Sequence, residues 1–218
     1  MGTYGCPRCG APVRPSTEVD LGRAAAADRD SWWCESDGLV APLVPAQEPS
    51  VHALLEHLTA SSHPSWVPWP LPHGWSVAGA ASVGLVRRTA SVLAMSGPDP
   101  LGGLGDLLVV CEEPGTGLGA RLAGVEGPDP GLHLRHLEPH TRLQVDGHAT
   151  PLWWLAASQD RDVLVGEASG RWLWLITWPA TSGVLVHDQW QLVDMHDLLA
   201  ELEVVPLTGL SSRLPGAD

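Results

Sequence analysis

The sequence of 218 residues lacks lysine, asparagine and phenylalanine altogether, and it contains a single tyrosine. All 12 of its basic residues are therefore arginines, against 25 acidic residues, and the net charge is -13. A surface of this sign repels phosphate backbones and anionic lipid headgroups. We therefore expect neither nucleic acid nor a membrane surface as a partner.

Long apolar runs are also missing. The first ten residues, MGTYGCPRCG, lack the apolar core of a signal peptide, and no later stretch approaches the roughly 20 apolar residues of a membrane span. These absences predict a cytoplasmic protein, and thiols stay reduced in that compartment. The four cysteines are accordingly interpreted as metal ligands or buried apolar residues. Cys111, inside an apolar run, belongs to the second group.

The 11 tryptophans supply nearly all of the aromatic side chains. We expect most of them to fill the bulky positions of the core. Ala, Gly, Pro and Arg, which have GC-rich codons, are abundant and indicate a high-GC bacterium. The length suits one domain of ordinary size, or one domain with a small appendage, and leaves the oligomeric state open.

The stretch from Arg161 to Trp178 predicts a hairpin at the centre of the fold. Its two apolar runs are separated by Ser-Gly, the composition of a tight two-residue turn. If Ala168 faces Arg171 across this turn, both faces of the hairpin are apolar. Such a hairpin must be covered on two sides, so we expect the strand that ends at Trp178 near the middle of a sheet.

Turn residues and apolar periodicity divide the rest of the chain. Ser50 is a predicted N-cap for a helix that ends near residue 57 or 61, and a last helical segment is expected over about 195–202. Further strands are expected over about 74–83, 89–95, 106–112, 142–145 and 151–155. The predicted fold class is α+β, mainly antiparallel, with a zinc-ribbon-like domain at 1–46 and a sheet domain at 47–218.

Two short cysteine turns predict a metal site near the N-terminus. Cys6 and Cys9 are followed by Gly10, and Cys34 begins a second turn that ends in Gly38. Two thiolates separated by two residues can chelate one ion from a single turn, and the glycine lets the backbone fold back toward sulfur. This is the layout of the two knuckles of a zinc ribbon.

The fourth ligand is predicted by position to be Asp37, because two residues separate it from Cys34. A carboxylate oxygen is an acceptable, though less usual, structural zinc ligand, and Glu35 and His52 are the alternatives. A redox pair is disfavoured, since five residues before Cys6 cannot form the strand that feeds such a motif. The prediction is one structural zinc ion in a closed site formed by Cys6, Cys9, Cys34 and Asp37.

Two other motifs are interpreted as structural. The Gly-rich segment 114–120 does not match a dinucleotide fingerprint and follows two glutamates, so it is expected to form a tight turn. His52 and His57 lie five residues apart on the predicted helix, whereas zincin histidines lie three or four apart. We therefore expect these histidines, with Glu56, on a solvated face.

A cluster of histidines leaves an enzymatic alternative open. His133, His136 and His140 lie close in sequence to Asp129 and Glu138, so they can form a second metal site or a hydrolase site. A proline before the last of them breaks any shared helix, and loop histidines are the favoured interpretation.

Several motifs together resemble an actinobacterial domain-of-unknown-function family over most of the chain. They are the opening Cys-Pro-x-Cys-Gly, WVPWPLPHGW from Trp66, SGPDPLGG from Ser96, EEPGTGLGARLAG from Glu112 and WLWLITWP from Trp172. The resemblance implies a lineage and a zinc-ribbon start, and it implies no activity. In these relatives the second knuckle resembles Cys-x-x-His-Gly, so the implied fourth ligand stands at position 37, where this chain has aspartate.

The favoured function is a non-enzymatic binding or regulatory module that contacts another protein. Its contact surface is expected to include the ribbon and exposed tryptophans, with candidates Trp32, Trp33, Trp66 and Trp69. The alternative is a hydrolase-type enzyme with its site around 133–140. A flat apolar patch would favour the first function, and a deep pocket with convergent histidine and acid side chains the second.

Overall fold

The computed structural model describes residues 4–21, 32–131, 134, 136–155, 159–187 and 190–214. These residues form a mainly antiparallel α+β fold, as the sequence predicts. The strands are β1 (Arg14–Pro15), β2 (Trp32–Cys34), β3 (Gly38–Val40), β4 (Leu43–Val44), β5 (Trp66–Pro68), β6 (Ser76–Val83), β7 (Ala90–Pro98), β8 (Leu104–Glu112), β9 (Thr141–Val145), β10 (His148–Trp154), β11 (Asp162–Ala168), β12 (Arg171–Trp178) and β13 (Gln191–Asp194). The helices are α1 (Glu18–Leu21), α2 (Val51–Thr59) and α3 (Leu118–Ala123), with 3-10 helices at Ala180–His187 and Met195–Leu198.

The described strands form two sheets. A small sheet has the order β1-β2-β3, and a ten-stranded sheet has the order β4-β6-β7-β8-β12-β11-β10-β9-β13-β5. Neighbouring strands are antiparallel except for the pair β13 and β9. β12 is fifth in the order, which confirms that this strand lies near the centre.

The central hairpin has the predicted register. Ala168 pairs with Arg171 and Val165 with Trp174. Ser169 and Gly170 both have positive φ, at 52° and 72°, which is the conformation that a tight hairpin turn requires. The Ser-Gly turn therefore sets the register of the two apolar runs of this hairpin.

The large sheet is covered on both faces. Leu173 and Leu175 of β12 join one buried cluster together with Leu54 and Leu58 of α2. The alternate residues of β12, including Trp174, join a second cluster with residues of α3. This explains why the hairpin sequence is apolar at consecutive positions instead of alternating.

Helix α2 begins where the sequence predicts. Ser50 is its N-cap, and the Ser50 Oγ accepts a hydrogen bond from the N–H of Ala53 at 3.0 Å. The last helical segment is shorter than expected, a 3-10 helix over Met195–Leu198. No helix among the described residues is both long enough and apolar enough to cross a membrane.

The expectation of an exposed Trp66 is wrong. Trp66 lies in β5, the edge strand that pairs with β13, and 1% of its surface is exposed. Its indole N–H donates to Asp146 at 2.7 Å, and β5 also approaches β8. Trp69 packs against the same buried cluster. Trp66 therefore closes the core and provides no free contact surface, whereas Trp69 is half-buried.

Candidate metal centre

Backbone pairing brings the two cysteine turns together, because β1, which follows the first turn, pairs with β2, which ends at Cys34. In the first turn the N–H of Gly10 donates to the carbonyl of Cys6 at 2.9 Å. In the second, Cys34 of β2 pairs with Gly38 of β3. Gly10 and Gly38 have φ values of 82° and 71°, a conformation that side chains disfavour. Each glycine thus allows its turn to fold back beneath the ligand-bearing residues.

The four predicted ligands converge. One ligand atom from each of Cys6, Cys9, Cys34 and Asp37 lies within 4.8 Å of all the others. The Cys9 and Cys34 sulfur atoms are 3.5 Å apart, and Asp37 Oδ2 lies 3.2 Å from the Cys6 sulfur and 3.5 Å from that of Cys34. Tetrahedral zinc, with Zn–S bonds of about 2.3 Å and Zn–O bonds of about 2.0 Å, separates its ligand atoms by about 3.5–3.8 Å. The donor set therefore fits a tetrahedral ion.

The environment of the thiols favours their protonated form in the absence of a cation. Cys6 and Cys34 are fully buried, while Cys9 is exposed and Asp37 is half-buried. Burial raises the pKa of the Cys6 thiol to about 12 and also raises that of Cys9. Hydrogen bonds from the thiols, that from Cys9 foremost, lower the pKa of Asp37. At neutral pH the Cys6 and Cys9 thiols therefore keep their protons unless a metal ion displaces them.

Arginine side chains fasten the cysteine turns to the large sheet. Arg121 of α3 donates from Nε to the carbonyl of Pro7 at 2.9 Å. Arg8, between the first two cysteines, donates from Nη2 to the carbonyl of Gly115 at 2.7 Å. No motif in the sequence marks either arginine as part of the site. They place positive charge beside a group of anionic ligands, which is electrostatically favourable.

The alternative ligands lie elsewhere. Glu35 is exposed and approaches Arg14 at 3.4 Å, and His52 is exposed and approaches Glu56 at 3.3 Å. Neither belongs to the converging group. Cys111 is 1% exposed, which confirms its interpretation as a buried apolar residue.

The described histidines of the 133–140 segment do not converge with acids. His136 and His140 are exposed, and His140 Nδ1 accepts the backbone N–H of Trp154 at 3.1 Å. Neither joins a group of three ligand-type side chains within the described part of the chain. His133 lies outside the described residues.

The expectation of a solvated His57 is wrong. Its Nε2 lies 2.8 Å from Ser91 Oγ and 3.2 Å from Ser65 Oγ, and both serines are 1% exposed. The ring is therefore held against the sheet by a buried polar network. The spacing of residues within the helix misplaced His57 because its partners lie outside the helix, Ser65 in the following loop and Ser91 in β7.

Fold and site together define a class: a mainly antiparallel sheet protein, covered on both faces of its large sheet, with a Cys₃Asp double knuckle at its N-terminal end. The chain belongs to DUF6758, a family of unknown function whose model matches residues 1–214. Comparison with curated proteins and with solved structures returned no match.

Proposed function

We propose that the double knuckle binds one structural zinc ion through Cys6, Cys9, Cys34 and Asp37. The convergence of four ligand atoms within 4.8 Å carries this proposal. Sulfur-rich tetrahedral sites select zinc over the oxygen-preferring cations magnesium and calcium. Four protein ligands complete the coordination of zinc and leave no open position for substrate, so the role of the ion is structural.

The carboxylate ligand is compatible with this site because two arginine side chains lie near the four ligands. Three thiolates and one carboxylate around Zn²⁺ leave a net charge of about −2. Arg8 and Arg121 lie close enough to interact electrostatically with the ligands. Their positive charges offset the excess negative charge that a histidine at position 37 would have reduced.

Elemental analysis of the purified protein tests the zinc proposal. We expect about one zinc per chain, loss of the metal from Cys34→Ser, and retention in the matched control Cys111→Ser, whose sulfur is buried in the sheet. Mild acid should release the ion, because the ligands bind in their deprotonated forms. Purified protein without stoichiometric zinc would contradict the proposal, as would equal zinc in both variants.

We further propose that the protein is a non-enzymatic binding or regulatory module that contacts another protein, in the cytoplasm of an actinobacterium. The support comes from one end of the large sheet. Leu101, in the loop between β7 and β8, and Leu104, the first residue of β8, are 75% and 85% exposed, and Val184 is 52% exposed. The hydroxyl of Ser182 donates to Asp99, which holds the 3-10 helix that bears Val184 against this loop. Clustered exposed apolar side chains are typical of protein-binding surfaces.

A pull-down from the native cell tests the contact. The bait is the zinc-loaded chain, compared with Leu101→Ser/Leu104→Ser and with the control Val204→Ser, an equally exposed valine in another loop. We expect a specific partner that the double variant loses and the control retains. If both variants capture the partner equally, this end of the sheet is not the contact surface. The same experiment after zinc chelation shows whether the knuckle takes part.

A further inference from the structure

A cleft of about 270 Å³ separates α2 from the edge of the large sheet. Its lining includes Ala53 of α2, Ala60 directly after this helix and Ala80 of β6, with Pro45 and Pro49 beside them. Small side chains at these facing positions leave room that larger ones would fill. Concave, mostly apolar sites with a few polar groups are the usual form of small-molecule sites.

Arg88 gives this cleft a cation without an acidic partner. The side chain is half-buried and lines the cleft, and its Nη1 donates to the carbonyl of Gly84. Among the described residues, no carboxylate oxygen lies within 4 Å of its guanidinium, whereas the adjacent Arg87 pairs with Glu113 at 2.7 Å. Partial burial of an unpaired guanidinium costs free energy that an anion would offset.

His57 places a second polar group on the same cleft. The buried serines Ser65 and Ser91 fix its ring. Burial, together with the charges of Arg88 and His196, lowers the pKa of His57 to about 4, so its ring is neutral at pH 7. The neutral ring of His57 therefore adds no charge of either sign to the cleft. Glu56 also lines the cleft, with its carboxylate 3.3 Å from His52.

We propose that this cleft binds a small aliphatic molecule with a carboxylate head. The guanidinium of Arg88 receives the carboxylate, for which its fork of donors is suited, and the alanine-lined walls receive the aliphatic part. The neutral ring of His57 is available as a hydrogen-bonding group beside the head. The proposal is independent of the zinc site and of the apolar loop between β7 and β8, since no residue of either lines the cleft.

Binding of matched six-carbon probes tests the proposal on the full-length, zinc-loaded protein. Hexanoate, hexan-1-ol, hexylammonium and inorganic phosphate are titrated by calorimetry, and the imidazole of His57 is followed by NMR. We expect saturable hexanoate binding, with the alcohol, the ammonium and phosphate each weaker by about tenfold or more. A bound carboxylate beside Arg88 should also raise the pKa of His57, because it offsets the positive charge that lowers it.

Variants of the two neighbouring arginines provide the matched control. Arg88→Gln should weaken hexanoate binding by about tenfold or more, and Arg87→Gln, with the same change in net charge, by less than about twofold. Arg88→Lys retains the charge but not the fork, and should fall between the two. It keeps the test valid if Arg88→Gln does not fold.

Four results would overturn the proposal. These are no saturable binding of hexanoate, equal affinity for hexanol, equal affinity for inorganic phosphate, and equal weakening by Arg88→Gln and Arg87→Gln. The second removes the need for an anion, the third removes the role of the apolar walls, and the fourth assigns binding to overall charge.

Discussion

The double knuckle and the ten-stranded sheet reach a folded state by different means. The knuckle has strands of two or three residues, and its buried cluster consists of Cys6, Cys34 and Val40. The sheet is covered on both faces by much larger apolar clusters. Units as small as the knuckle cannot bury enough apolar surface to fold alone and generally need a metal or a disulfide. Apolar packing therefore suffices to stabilise the sheet, whereas the knuckle has ligand-type side chains where a larger unit would have a core.

The burial of tryptophan side chains also differs between the sheet and the knuckle. In the sheet, Trp174 is fully buried and Trp172 is 6% exposed. In the knuckle, Trp32 and Trp33 are half-buried, the first edge-on to Tyr4 at 5.0 Å and the second beneath Arg14 at 5.9 Å. The tryptophans of the sheet therefore belong to its core, whereas those of the knuckle remain partly exposed at its surface.

Removal of zinc should produce the largest difference in stability between the knuckle and the sheet. Because structural zinc in small domains contributes about 10 kcal/mol or more to folding, chelation should abolish hydrogen-exchange protection in β2 and β3. The amides of β8 and β12, whose stability comes from packing, should keep theirs. Loss of protection in both regions together would show that they form one cooperative unit.

Substitutions in the central hairpin should produce the next largest effect. Trp174→Ala or Trp172→Ala should lower the free energy of unfolding of the sheet by about 3–5 kcal/mol, as for other buried aromatic residues. Trp154→Ala is the control, since this side chain is 52% exposed and should cost about 1 kcal/mol or less. Urea denaturation measures all three. Equal effects of Trp154→Ala and Trp174→Ala would contradict the assigned burial.

Glu112 should make the stability of the sheet depend on pH. This carboxylate is fully buried and accepts the N–H groups of Leu118 and Gly119 at 2.8 and 3.2 Å. Burial raises its pKa from 4.5 to about 7. The folded state therefore holds a proton that the unfolded chain has lost, so stability falls as pH rises from about 4.5 to about 7. The total change is at most about 3 kcal/mol.

The measurement is the difference between the stability profiles of the native chain and Glu112→Gln. His57 contributes a slope of opposite sign, because its pKa is lowered to about 4 and stability rises as pH rises from about 4 to 6.5. The His57 slope is common to both proteins and cancels in the difference. Glu56→Gln, on the exposed side of α2, is the control and should leave the profile parallel to that of the native chain. A Glu112→Gln profile that is also parallel would refute the prediction.

The knuckle tryptophans should affect the sheet least. Trp32→Ala and Trp33→Ala should change its free energy of unfolding by less than about 1 kcal/mol, since neither belongs to its buried clusters. We expect at least one of them to weaken binding of the partner protein identified by pull-down. Thermal unfolding followed by circular dichroism checks the first expectation. A large fall in melting temperature with both variants would show that the knuckle is an integral part of the core.

Local patterns in the sequence predicted the features that depend on neighbouring residues. Ser169 and Gly170 predicted the register of the central hairpin, because few residues adopt the positive φ values of a tight turn. Ser50 predicted the start of α2, because its hydroxyl reaches an N–H three residues later. The spacing of the cysteines predicted the donor set in the same way, since two residues between ligands suit a single turn. The division of the chain at residue 46 remains a prediction.

Long-range contacts decided the rest. The sequence by itself determined an antiparallel α+β protein with a Cys₃Asp knuckle, but not that Trp66 closes the core or that His57 is held by Ser65 and Ser91. These outcomes arise from pairing of β5 with β13 and packing of α2 on β7, between segments far apart in the chain. Only the tertiary structure brings Arg88 to α2 and Arg121 to the first cysteine turn. Hydrogen bonds and charges act over a few ångströms of space, and sequence separation does not show which groups come that close.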